Sequence, residues 1–67
     1  MKSDFFKTGS GIILNFGCVQ LVHILNNAPE YIVEFILTSD SKIEEYFDSL
    51  AEAESEVNRF FEESKGA

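Results

Sequence analysis

His23 is the one side chain whose ordinary pKa, about 6.5, lets it exchange a proton at neutral pH, and Cys18 is the one thiol. On a regular strand, residues five apart face opposite ways. A cysteine–histidine dyad needs hydrogen-bond reach, so these two do not form one. His23 then reads as a half-buried strand residue and Cys18 as a small hydrophobe at a turn. One Cys and one His are also too few for a structural zinc. Glu44 and Glu45 are adjacent and cannot make the paired carboxylates of a glycosidase; they read as solvated strand charges. Asp40 with Glu44 lacks the ligand series and the glycine of a calcium loop. Gly9-Ser10-Gly11 is a lone Gly-x-Gly with no helix after it to receive a phosphate. These residues point to no enzyme, no cofactor and no metal.

Two features point instead to interaction. Glu52, Glu56 and Glu63 lie on one side of a helical segment, interrupted by Arg59. Such a row either imitates phosphates, giving an acidic inhibitor that binds a basic nucleic-acid enzyme, or is simply the solvated side of an amphipathic helix. The second feature is apolar. A single helix covers only one face of a sheet, which leaves Ile32 and Ile36 on the other, joined by Val22 and Ile24. Phe5 and Phe6 are consecutive, so one of them faces outward, and Phe6 is counted with this set. A leftover apolar face marks an interface.

The elements that carry these residues follow from pattern. Residues 4–8 predict a short strand, and Gly9-Ser10-Gly11 a turn. Residues 12–15 begin a second extended run, which Gly17 interrupts with a tight turn or bulge. Residues 19–25 continue as strand. There Val19, Leu21, His23 and Leu25 alternate with Gln20, Val22 and Ile24, and both sets are largely apolar, as in a strand covered on both sides. Asn26-Asn27-Ala28-Pro29 reads as the next turn. Residues 31–38 are rich in β-branched and aromatic side chains, with Tyr31, Val33, Phe35 and Leu37 on one face. Ser39-Asp40-Ser41 predicts a three-residue loop before a strand over Lys42–Phe47. That loop pairs Leu37 with Ile43 and Val33 with Phe47, keeping one face apolar.

Ser49-Leu50-Ala51-Glu52 has the pattern of a capping box. Beyond it, Leu50, Ala53, Val57, Phe60 and Phe61 recur at helical spacing. Lys65 and Gly66 suit a helix end. A helix of about sixteen residues is ~24 Å long, enough to cross a small sheet and bury its Phe pair against Val33, Phe35 and Leu37. The fold class is α+β: an antiparallel β-meander of three or four strands packed by one C-terminal amphipathic helix.

With 67 residues, residues 1–67 make one small domain. Seven Phe and two Tyr argue against disorder. A single core of this size supplies only ~3–5 kcal/mol. One Cys excludes an internal disulfide, so self-association, most simply a homodimer, is the expected support. The net charge of −7 lies wholly in residues 34–67. It disfavours direct nucleic-acid or anionic-membrane binding and permits a basic protein partner. The apolar run over residues 12–25 is too short and too polar to span a bilayer. Asp4, the polar segment 8–11 and Pro29 argue against a secretory signal. The unpaired Cys fits a cytoplasmic setting.

The block Phe6-Lys7-Thr8-Gly9-Ser10-Gly11-Ile12-Ile13-Leu14-Asn15, with Val19 and Val22, resembles the first strands of short uncharacterised bacterial and phage proteins. Such proteins often end, as here, in a Tyr-Phe-Asp-Ser stretch (residues 46–49) and an Ala/Glu-rich helix. The opening is also distantly similar to the β-rich start of LytTR DNA-binding domains, but lacks the basic residues that would touch phosphate. Neither resemblance implies a functional residue. The expected function is a non-enzymatic, self-associating protein-interaction module.

Overall fold

The computed structural model describes residues 4–66. The elements are β1 (Phe5–Lys7), β2 (Ile13–Asn15), a 3-10 turn (Phe16–Cys18), β3 (Val19–Asn27), β4 (Glu30–Leu37), β5 (Lys42–Phe47) and α1 (Leu50–Lys65). The class is α+β. β3, β4 and β5 form a three-stranded antiparallel meander, β1 and β2 form a separate two-stranded ladder, and the helix packs on the sheet.

The second extended run is therefore two strands in two sheets. The Asn15 side chain accepts the Gly17 N–H at 2.8 Å and caps the 3-10 turn that separates them. A Cβ at Gly17 would sit 3.2 Å from Asn15 Oδ1, closer than side chains normally tolerate, so glycine suits the cap.

Both tight hairpins use the same device. In β1–β2, the Gly11 N–H donates to Thr8 O, the Thr8 N–H donates to Ile12 O, and Gly11 has φ +95°. In β4–β5, the Asp40 N–H donates to Leu37 O, the Leu37 N–H donates to Ser41 O, and Asp40 has φ 70°. Each is a three-residue loop whose last residue is left-handed. The second loop is thus Thr38-Ser39-Asp40, one residue earlier than Ser39-Asp40-Ser41. The register moves by two: Phe35 pairs with Ile43 and Tyr31 with Phe47, rather than Leu37 with Ile43 and Val33 with Phe47. An even shift keeps every side chain on its expected face. The β3–β4 turn is also shorter than expected, with Asn27 paired to Glu30 around a cis Ala28–Pro29 peptide.

The core joins Phe6 and Leu14 from the N-terminal hairpin, Val33 and Phe35 from β4, and Ala53 and Phe60 from α1. Phe6, Phe35 and Phe60 make mutual ring contacts with centroids 5.1–5.9 Å apart, and Phe16 joins Phe6 and Phe60. Burying each such ring contributes about 1.5–3 kcal/mol. The hairpin and the helix together cover one face of the meander.

Helix α1 starts where the capping pattern places it. Ser49 is extended (φ −141°), and its Oγ accepts the Glu52 N–H at 3.2 Å. The Glu52 carboxylate accepts from the Ser49 hydroxyl at 3.3 Å. Of the expected Phe pair only Phe60 is buried. Phe61 is 48% exposed, because successive helix residues are turned about 100° apart and the core receives the Ala53–Phe60 stripe.

Candidate functional site

β3 places its side chains by a bulge. Val19 pairs with Leu37, but Leu21 pairs with Ile36, so the ladder shifts between them. Two residues normally share a face; here the extra residue sends Val19 into the core and leaves Leu21 outside. Val22 and Ile24 stand opposite Phe35 and Val33 and pack against the core. They belong to the covered face, not to the open one where the sequence placed them. Phe6 is likewise no surface residue: it is fully buried, and Phe5 is the exposed neighbour.

The open face is a three-by-three array set by the two registers. Its first row is Leu21, Ile36 and Lys42. The second is His23, Glu34 and Glu44. The third is Leu25, Ile32 and Tyr46. Of the interface residues expected from sequence, Ile32 and Ile36 lie on it. Ile32 is already buried and Ile36 half-buried, shielded by their strand neighbours. Leu21 (51%), Leu25 (37%) and Tyr46 (57%) are exposed on either side of them. The two apolar sets of β3 therefore meet different fates: one enters the core and the other lines an open face.

At the centre of the array the His23 imidazole bonds the Glu34 carboxylate through Nε2 at 2.5 Å, and Lys42 Nζ lies 3.8 Å from its other oxygen. Glu34 is buried although its face is open. The His23 hydrogen bond holds its carboxyl below the usual range against the opposing effect of burial, with help from Lys42. The Tyr46 hydroxyl donates to Glu44 at 3.4 Å. The Glu44 charge, followed by burial, raises the phenol above its ordinary value. Cys18 is exposed in the 3-10 turn, and the His23 hydrogen bond goes to Glu34, so the two form no dyad. Among the described residues no group of three or more His, Cys, Asp or Glu is placed to hold a metal ion. No helix among them is long and apolar enough to cross a membrane.

Two acids that read as solvated charges are internal. Glu45 accepts from the Ser10 N–H at 2.9 Å and from the Ser10 hydroxyl at 2.7 Å. Glu56 accepts from the Gly9 N–H at 2.9 Å and from Arg59 at 2.7 Å. Both are buried. Arg59 adds a bond to the Lys7 carbonyl at 2.8 Å and lies 4.3 Å over the Phe6 ring. Burial works against the charged guanidinium, but Glu56 and Glu63 outweigh it and raise its pKa. Glu45, Glu56 and Arg59 thus fasten the β1–β2 hairpin to β5 and α1. The row Glu52, Glu56, Glu63 is consequently not one solvated face: Glu56 is consumed internally, Glu63 bonds Arg59 at 3.3 Å, and Glu52 serves the helix cap.

The sequence carried the signal for both internal acids. Glu45 stands between Ile43 and Phe47 on the apolar face of β5, and Glu56 lies between Ala53 and Phe60 on the helix stripe. A carboxylate on a core-facing position needs a donor, and Gly9-Ser10 offers two adjacent backbone N–H groups. Comparison with protein-family models, curated proteins and solved structures returned no match to this chain.

Proposed function

We propose that this protein is a non-enzymatic interaction module that self-associates through the open face of β3–β4–β5. The observation that carries the reading is the placement of Leu21, Leu25 and Tyr46, all exposed, around Ile32 and Ile36 on a sheet whose opposite face is already filled by α1 and the N-terminal hairpin. An apolar sheet face gains most by being covered, and a core this small gains stability from association. The net charge of −7 disfavours nucleic acid as the direct partner. The acids of the outer helix side remain available to a basic protein, and the unpaired thiol suits a reducing cytoplasm.

The test is the mass in solution of the wild-type chain against Leu25→Lys. Leu25 is exposed in the single chain, so the substitution leaves the fold intact and acts on association. A dimeric wild type and a folded, monomeric Leu25→Lys support the reading. A monomeric wild type overturns it.

A further inference from the structure

The open face also carries information about how a second copy would sit. We propose that the occupant is a second copy of this chain, related by a two-fold axis running along β4, so that β3 of each copy lies over β5 of the other. This rests on the self-association reading above and adds an orientation to it.

Charge selects the occupant. On the array Lys42 stands against Glu34 and Glu44. With His23 neutral that leaves one negative charge, so six of the seven excess negative charges lie elsewhere on the chain. A copy that is itself strongly acidic meets little repulsion here.

Charge also selects the axis. Two sheets packed face to face keep their strands nearly aligned or nearly perpendicular. A two-fold axis along β4 exchanges the β3 and β5 columns and keeps the rows. His23 then lies over the partner's Glu44, Leu25 over the partner's Tyr46, and the stem of Lys42 over the partner's Leu21. An axis across the strands keeps the columns and exchanges the outer rows. It sets Glu44 over the partner's Glu44, like on like, and Tyr46 over the partner's Lys42. The perpendicular packings set Lys42 over the partner's Lys42, or Glu44 over the partner's Ile32. Only the axis along β4 sets neither Lys42 over Lys42 nor Glu44 over Glu44 and keeps Leu25 and Tyr46 on apolar neighbours. Glu34 lies on the axis in both aligned arrangements; its charge is already turned sideways onto His23 and Lys42.

Cross-linking tests the orientation. In a Cys18→Ser background, which removes the exposed native thiol, three single-cysteine chains are made: Leu21→Cys, Leu25→Cys and Tyr46→Cys. Equal mixtures are treated with a bis-maleimide spanning about one sheet spacing, ~10 Å. The proposal expects the Leu25→Cys plus Tyr46→Cys mixture to yield covalent dimer, and the Leu21→Cys plus Leu25→Cys mixture to yield none. The reverse result overturns the orientation and leaves self-association through this face standing. A dimer by sedimentation with neither mixture cross-linked places the interface elsewhere and overturns both. A monomer by sedimentation overturns the self-association reading itself.

Discussion

His23 and Glu34 stand opposite each other on β3 and β4, and the imidazole Nε2 meets the carboxylate at 2.5 Å on the open side of the sheet. A buried acid on an otherwise open face is unusual, and this one persists because its charge is answered from the adjacent strands by His23 and Lys42.

That relationship has a pH consequence. The Glu34 carboxyl is held below its ordinary value of 4.5, chiefly by the His23 hydrogen bond. A carboxyl whose folded pKa is depressed stabilises the fold above its unfolded pKa, and that stabilisation is lost as pH falls through the folded value. Stability of the wild type should therefore decline from about pH 4.5 downward, and the decline should be shallower in Glu34→Gln. Urea midpoints measured from pH 6 to pH 3 check this; parallel curves for the two proteins would contradict it.

The fastening of the N-terminal hairpin is a second consequence. Glu45→Ala removes the acceptor of the Ser10 N–H and hydroxyl, and Glu56→Ala removes that of the Gly9 N–H and a partner of Arg59. Hydrogen bonds to a charged group contribute about 1.5–3 kcal/mol, a large fraction of the stability of so small a domain. Each variant should lose stability on that scale and exchange its Gly9 and Ser10 amide protons faster than wild type. Exchange unchanged at both positions would show that the carboxylates do not hold the turn.

The two phenylalanines of α1 should separate sharply. Phe60 sits among Phe6, Phe16 and Phe35, and Phe60→Ala should cost about 3–5 kcal/mol, enough to unfold the domain. Phe61 is half exposed and meets the Phe60 ring edge-on, and Phe61→Ala should cost about 1 kcal/mol. Thermal unfolding followed by circular dichroism distinguishes them; equal losses would place both rings in the core.

How far the sequence reveals this molecule varies with the kind of information each element carries. The helix start is legible because Ser49 and Glu52 solve a local problem, the unpaired N–H groups of the first turn. β4 is legible because its run of β-branched and aromatic residues lies between turn signals, and β5 because it follows the turn at Ser39-Asp40-Ser41. The β4–β5 register is off by two because Asp40, not Ser41, adopts the left-handed conformation that closes the loop, and both loops keep the same faces apolar. The placement of Val22 and Ile24 on the open face fails for a different reason. The bulge between Val19 and Leu21 leaves no trace in a run apolar on both sides, so only the pairing with β4 decides which set enters the core. Phe6 and Phe5 present the same ambiguity within a three-residue strand. Glu45 and Glu56 read as solvated charges, although each stands between apolar neighbours, because their partner lies in a hairpin remote in sequence.

Sedimentation equilibrium over a range of protein concentrations tests the central claim most directly. Wild type should approach twice its 7.6 kDa mass as concentration rises, while Leu21→Lys and Leu25→Lys stay at 7.6 kDa with unchanged circular dichroism. A wild type that remains at 7.6 kDa up to ~1 mM, where even a weak specific contact forms, would contradict the claim that the open face of β3–β4–β5 binds a second copy.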